Sequence, residues 1–440
     1  MSGGGDVMRV GVAGLGTVGG GLLKLLRERG VRAGERPIEV VAVSARNRTR
    51  KREIDLSPYA WVDDPVALAA DPSIDVFVEL IGGSDGPAKR AVEVALGRGA
   101  HVVTANKALL AEHGVELAAL SERTGGQIAF EAAVGGGMPI VKALKESLAG
   151  CAVQQIAGVL NGTCNYLLTE MEASGRSFAD VLADAQRLGY AEADPTMDVG
   201  GFDAGHKIAL LAAIGFGAAP DYAAVQIEGV ESVTLTDIRL AGKLGYRIKL
   251  IAKAERRDGR VGVSVAPRLL AMDHPLARVD GALNAALVDA DPVGRLTFIG
   301  RGAGAGPTAS AVAADLIDLA LGLRRPAFGR PIGALDRFET LDRAHDLGRF
   351  YLRLLVKDRP GVIAAVSDRL GRAGVSIESI LQQPSPDTAA VPIVLTTQAC
   401  ARTALDAAVA EIAALDAMTE QPRVMPIEET TGAAGPKVWS

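Results

Sequence analysis

The stretch from Gly189 to Lys207 gathers Glu192, Asp194, Asp198 and Asp203 around Pro and Gly turns, and ends on Lys207 just inside an apolar helix. Asp203 and Lys207 are four residues apart, so they share one helical face. Asp203 stands where a helix N-cap is expected. Taken alone, the stretch reads equally as an acidic loop that caps a helix with an exposed ion pair, or as a catalytic constellation. His206 sits about 100° round the helix from Lys207 and reads as packing. A second chemical feature is Gly14-Leu15-Gly16-Thr17-Val18-Gly19, which follows an apolar run and opens a helix. In that context G-x-G-x-x-G binds a dinucleotide. Gly14 allows the tight turn, Gly16 admits the pyrophosphate and Gly19 lets helix and strand pack closely. The helix N-terminus, with Thr17 and Val18, offers free N–H groups to the anion. The next strand ends Val43-Ser44-Ala45-Arg46 and is followed by Arg48, Arg50, Lys51 and Arg52. An NAD site usually has an acid there for the ribose 2′-hydroxyl. The missing acid and the crowd of cations favour NADP, with Arg46 as the contact, and leave NAD possible.

These groups need a scaffold. Residues 1–140 alternate apolar runs (Met8–Ala13, Glu39–Val43, Val76–Leu80, His101–Thr104) with helical stretches (Leu22–Arg29, Pro87–Leu96, Val115–Arg123). That rhythm predicts an α/β fold, a Rossmann-type doubly wound parallel sheet. Residues 141–330 mix amphipathic helices (Ile140–Leu148, Phe178–Leu188, Ala204–Ile214) with strand-like runs (Lys249–Ala254, Val261–Pro267, Arg295–Ile299). They predict a central α+β domain with a mixed sheet for substrate binding and dimerisation. A helix at Ala309–Leu321 is expected to pack on the first domain. Residues 331–349 read as a linker, 350–427 as a β-α-β-β-α-β ferredoxin-like module, and 428–440 as a tail.

Composition narrows the function. Charged residues are 22% and the formal net charge is −5, which argues against a nucleic-acid binder working by charge neutralisation. Aromatic residues are 4%, too few for base-stacking platforms. The uncharged run Ser147–Thr169 carries Gln154, Gln155, Asn161 and Asn165 and is too polar to span a membrane. Cys151, Cys164 and Cys400 form no C-x-x-C pair, so neither a disulfide framework nor a zinc cluster is expected. A reducing, cytoplasmic setting fits.

Several blocks together resemble homoserine dehydrogenases. Ala185, Gly189, Tyr190, Asp194, Pro195, Asp198, Gly201, Asp203 and Lys207 match that family's long signature. Gly14–Gly19, Thr104–Lys107, Glu131–Pro139, Asn161–Asn165 and Gly300–Val312 match its other blocks in order, with Arg301 where the family usually has Pro. The resemblance implies reversible hydride transfer between L-homoserine and L-aspartate 4-semialdehyde, in threonine, methionine and isoleucine biosynthesis. It makes Lys207 the first choice and Lys107 the second for moving the proton, provided burial or nearby cations lower the amine's pKa. Lys107 also opens a helix beside a strand end, where such sheets bind ligands. Glu192, Asp198 and Asp203 are expected to hold the substrate ammonium. Gly302 matches a cofactor-binding glycine, and Lys107, Thr163 and Gly189 are further cofactor expectations. The block Glu131–Pro139 resembles a sodium site in which the Glu131 side chain and the carbonyls of Val134, Gly136 and Met138 hold Na+ or K+.

Asp358-Arg359-Pro360-Gly361-Val362 resembles the D-x-P-G-V turn of ACT domains, with Ser376 where members often have Asn. It implies feedback by an amino-acid effector, L-threonine foremost, and a homodimer or homotetramer. Two rivals remain: a dinucleotide sensor without turnover, and a dehydrogenase for another amino acid such as aspartate.

Overall fold

In the computed structural model, residues 7–30, 32–34, 36–337, 339–341, 347–382 and 390–428 are described. The first six residues, positions 342–346 of the expected linker and 429–440 of the expected tail lie outside them. Short apolar runs build the first sheet. Arg36–Ser44, Met8–Ala13, Val76–Glu79, His101–Thr104 and Ile128–Ala129 lie side by side in that order, all parallel. Every residue of Val76–Glu79 is buried, as in strands covered on both faces. From Met8–Ala13 the chain turns first to one side and then to the other. The resulting switch point lies beyond the C-terminal strand ends, where open sheets of this kind bind ligands.

Helices Thr17–Arg29, Pro87–Gly97 and Lys107–Thr124 cover this sheet. The last begins eight residues before the expected Val115, because the Asn106 side chain accepts the Leu109 N–H at 3.1 Å and caps it. Helix Ala305–Ala320 returns to the same domain, and its Val312 and Leu316 share a core with Val10, Leu22 and Leu23. The approach is close: a Cβ at Gly21 would stand 2.7 Å from the Ala305 carbonyl oxygen.

The central domain is a mixed sheet in the order Gly294–Arg301, Leu283–Asp291, Ala152–Val159, Tyr246–Arg257, Arg260–Ala271. Helix Phe202–Phe216 packs against it and is buried nearly all round, which explains its apolar sequence. Strands Ala152–Val159 and Leu283–Asp291 were not among those expected. The continuous helix expected over Ile140–Leu148 is instead one turn, Ile140–Lys142, running into a π-turn, Ala143–Ser147. Its start is pinned because the Glu131 carboxylate takes the N–H groups of Val141 and Lys142 at 3.0 and 2.7 Å. Its end closes through Leu148 N–H to Ala143 O.

The C-terminal module is ferredoxin-like. Its strands lie in the order Arg423–Glu428, Leu347–Lys357, Ala390–Thr397, Ile377–Gln382, with helices Val362–Arg372 and Arg402–Ala413. Arg423–Glu428 also pairs in parallel with Arg260–Ala271 through Leu269↔Ile427 and Leu270↔Glu428, so the two domains share one sheet. Charges cement this seam. The fully buried Asp237 accepts from Arg353 Nε at 2.7 Å and Tyr351 Oη at 3.2 Å. Glu428 pairs with Lys253 at 2.8 Å and Arg268 at 3.3 Å. Among the described residues, no helix is long and apolar enough to cross a membrane.

Candidate active site

Two lysines from different domains meet on one carboxylate. Asp203 accepts from Lys207 Nζ at 2.8 Å through one oxygen and faces Lys107 Nζ at 3.0 Å through the other. Asp203 is the second residue of its helix rather than the cap. The N-cap is Gly201, at φ +84°, where a side chain would press on Ile227 and Val265. Lys207 also donates to the Leu160 carbonyl at 2.7 Å, and its side chain is 9% exposed against 33% for Lys107. The chain builds the Lys107 end with care. Buried Glu79 accepts Thr104 Oγ1 at 2.6 Å and the N–H groups of Ile81 and Gly82. Thr104 Oγ1 accepts Asn106 N–H, and Asn106 Nδ2 donates to Gly83 O at 2.7 Å. These bonds fix the turn that presents Lys107 at the mouth of the crevice.

At Lys107 the electrostatics run opposite to the expected lowering of the amine pKa. Asp203 raises the pKa of Lys107 and outweighs the opposing effect of burial. Burial alone would raise the Asp203 carboxyl, but Lys207 and Lys107 hold it well below the carboxylate range. Burial raises Asp198, against a bond from Asn161 Nδ2 at 2.7 Å. The same Asn161 amide reaches Asp203 at 2.9 Å, so one side chain ties both acids together. The site therefore favours the ammonium form of Lys107. Asp203, expected to grip a ligand ammonium, is already shared by two lysines. Asp198 is held by an amide rather than a lysine, and Glu192 stands exposed at the rim, adding its field to Lys107. His206 stacks on Tyr222 with ring centroids 4.1 Å apart.

The glycine turn has the shape a dinucleotide needs. A Cβ at Gly14, at φ +100°, would lie 2.2 Å from Leu80 O, and one at Gly19 would lie 2.0 Å from Gly14 O. A Cβ at Gly16 would meet nothing within 4 Å. That space opens before the N–H groups at Thr17 and Val18, whose helix has no side-chain cap. The residues thus fit a pyrophosphate. At the neighbouring strand end Ser44 is buried and Arg46 is exposed. Arg52 donates to Leu15 O at 3.4 Å, and both Arg48 and Arg52 lie over the Trp61 ring.

Gly302 is tied to the same centre. A Cβ there would fall 2.0 Å from Asn284 Nδ2, which donates to the Leu160 carbonyl that Lys207 uses. Thr163 Oγ1 donates to Tyr190 O at 2.8 Å, next to Gly189, which caps helix Phe178–Leu188 at φ +78°. The turn of Val134, Gly136 and Met138 lies against Gly302: a Cβ at Gly136 would meet Gly302 O at 2.3 Å. The monovalent-cation set fits less well. Both Glu131 oxygens are occupied by the backbone N–H groups of Val141 and Lys142, and Met138 O accepts Ile140 N–H. The side-chain ligand of that set is thus committed to a helix start. Sequence reasoning gave no role to Glu79, Asn161 or Asn284. Asn161 lies in a block it did quote, whereas Glu79 and Asn284 carry no local signal.

Comparison with known proteins matches all three parts of the chain. Residues 14–131 match the family model for the homoserine dehydrogenase NAD-binding domain, 139–317 that for homoserine dehydrogenase, and 350–417 that for the ACT domain. The chain is 43% identical to homoserine dehydrogenase of Synechocystis sp. over 432 residues, 95% of this chain and 99% of the relative. The crystal structure of a homoserine dehydrogenase from Thiobacillus denitrificans superposes with a TM-score of 0.91 at 40% identity, covering 96% of this chain and 99% of that one. A hyperthermophilic archaeal homoserine dehydrogenase mutant in complex with NADPH is more distant: TM-score 0.62, 28% identity, 72% of this chain and 98% of that one.

Proposed function

The chain belongs to the homoserine dehydrogenase family, as an oxidoreductase with an NAD-binding domain and a C-terminal ACT domain, and on that premise we propose how its residues divide the work. The observation that carries the reading is the single Asp203 carboxylate between Lys107 and Lys207 at the crevice. In the direction of L-homoserine, the aldehyde oxygen of L-aspartate 4-semialdehyde takes a proton from an ammonium. In reverse, the alcohol proton passes to the amine. Lys207 is the donor and Lys107 the second amine, oriented across Asp203. Asp198 and Glu192 hold the substrate ammonium. The nicotinamide, when bound, supplies or accepts the hydride. Gly14, Gly16, Thr17, Val18 and Gly19 hold its pyrophosphate, with Gly302, Thr163 and Gly189 lining the same crevice.

NADP is the favoured cofactor. The strand ends on Ser44 with no acid at hand, the exposed Arg46 stands beside it, and an archaeal relative is solved with NADPH. A bound Na+ or K+ would rest on the carbonyls of Val134, Gly136 and Met138, near Glu131, and takes no part in proton movement. The ACT module is read as the site of L-threonine feedback within threonine, methionine and isoleucine biosynthesis. The assembly is read as a homodimer or homotetramer, with sheet edges at Gly294–Arg301 and Ile377–Gln382 available for it. A cytoplasmic setting accords with three free cysteines.

The test is NADPH formation from homoserine and NADP+, with NAD+ and aspartate as alternatives and threonine titrated in. The reading expects turnover with homoserine, faster with NADP+, inhibited by threonine, and reduced by orders of magnitude in Lys207→Ala with little change in cofactor affinity. A flat trace with homoserine sinks the substrate assignment. A wild-type rate in Lys207→Ala sinks the role of that amine.

A further inference from the structure

Strand Leu283–Asp291 is apolar and buried through Ala285, Ala286, Leu287 and Val288, yet near its start it carries Asn284, which is 1% exposed. The strand pairs antiparallel with Ala152–Val159, with Ala285 facing Val159. One position further along, Asn284 comes beside Leu160, where the ladder has ended. There a side chain takes over. Asn284 Nδ2 donates to the Leu160 carbonyl at 2.9 Å. The same carbonyl accepts Lys207 Nζ at 2.7 Å, so both of its lone pairs are engaged. Asn284 Oδ1, by contrast, is buried with no hydrogen-bond partner. Buried polar atoms are rarely left so, and an apolar side chain like those that follow would avoid the cost. The amide is thus kept for its donor end.

We propose that Asn284 is a positioning residue: by holding the Leu160 carbonyl it fixes the direction in which Lys207 presents its transferable proton. An ammonium carries three N–H groups at tetrahedral angles. Lys207 spends one on Leu160 O and one on Asp203 Oδ2, at 2.7 and 2.8 Å. Two fixed directions fix the third, which is the proton left to give. A carbonyl gripped by Lys207 alone would turn with the amine, and the third N–H would sweep a range of directions. Gripped from two sides, it stays in place. Asp203 is steadied in the same way by Asn161 Nδ2 at 2.9 Å. Asn161 directly follows Leu160, so both anchors of the ammonium hang on one short turn. The Asn284 amide also packs against Gly302, where a Cβ would fall 2.0 Å from Nδ2. It therefore stands between the Gly302 turn and the amine. Alignment of a reacting group contributes strongly to rate, and small displacements are costly. The inference rests on the reading of Lys207 as the proton donor.

The experiment compares the full chain with Asn284→Ala and Asn284→Leu, each made in wild type and in Lys207→Ala. Leu keeps the branching of Asn without the donor. The readouts are thermal midpoint, NADPH affinity by fluorescence, kcat, KM and the solvent deuterium isotope effect. In the single variants kcat should fall at least about tenfold, with KM and cofactor Kd within about threefold of wild type, because the aim of the proton matters in the transition state alone. The isotope effect on kcat should rise as proton transfer slows. Where Lys207 is already gone, the same substitutions should cost less than about threefold more, since residues that act as a unit are not additive. An unchanged kcat with an unchanged isotope effect would overturn the proposal. So would misfolding or weakened cofactor binding in both N284A and N284L, which would make Asn284 a structural residue, or equal losses with and without Lys207. A wild-type rate in Lys207→Ala alone would instead remove the donor on which the inference rests.

Discussion

Asp203→Asn keeps the shape of the site and removes the charge that two lysines share. Their ammoniums lie 2.8 and 3.0 Å from its oxygens. Without the anion they face each other across at most roughly 8 Å, a repulsion of about 2 kcal/mol at an effective dielectric of about 20. Removing one member of a buried ion pair costs about 3–5 kcal/mol. Water screens Lys107, which is a third exposed, so the lower part of that range applies. Folding stability should fall by about that amount, and the ~2 kcal/mol repulsion, carried into the barrier at a factor of ten for each ~1.4 kcal/mol, lowers kcat/KM by about 30-fold. The pH profile should move with it. Asp203 raises the pKa of Lys107, so without it the amine gives up its proton at lower pH. If the second amine must stay charged beside the donor Lys207, aldehyde reduction in the variant should fail at lower pH than in the wild type. Initial rates in both directions across pH, followed by NADPH absorbance, measure both effects. A variant within threefold of wild type, with its alkaline limb unmoved, would refute the reasoning.

Gly14→Ala should destabilise the chain by about 3 kcal/mol or more, because a Cβ at φ +100° would strike the Leu80 carbonyl; Gly16→Ala should leave the thermal midpoint alone and weaken cofactor binding. Equal midpoints for the two variants would contradict that division. Arg353→Met strands the buried Asp237 carboxylate, so urea unfolding should show a loss of about 3–5 kcal/mol, and an unmoved midpoint would count against the seam. Burial holds the Cys164 thiol well above its ordinary pKa, and its Sγ lies 3.1 Å from Asp198 O. A thiol reagent followed by mass spectrometry should therefore label half-buried Cys151 in the native protein and Cys164 only after unfolding. Native labelling of Cys164 would be the contrary result.

Local pattern sufficed where the chain's own neighbours decide structure. The apolar runs Met8–Ala13 and His101–Thr104 are strands over those same residues. The glycine turn and the Asp203–Lys207 spacing announced themselves because a turn and a helical face are set within a few residues. What escaped depends on distant partners. Ala152–Val159 carries Gln154 and Gln155 and takes its strand form from neighbours near residues 254 and 287. The turn that leads into the π-turn, at Val141 and Lys142, is held by the Glu131 carboxylate, 10 and 11 residues upstream. Asp203 is expected as a cap, but Gly201 takes that place, and no periodicity reveals that Lys107, 96 positions earlier, completes the ion pairs of Asp203. The Leu269↔Ile427 pairing likewise joins segments that share no local signal.

The shared sheet has a mechanical corollary. Leu269, at the junction, lies four residues from Val265 on one strand, roughly 13 Å at ~3.3 Å per residue. Val265 accepts the Glu228 N–H, and the space at Gly201, where the lysine-bearing helix begins, is bounded by Val265 and Ile227. One continuous strand thus runs from the seam with the C-terminal module to the residues that bound the root of that helix.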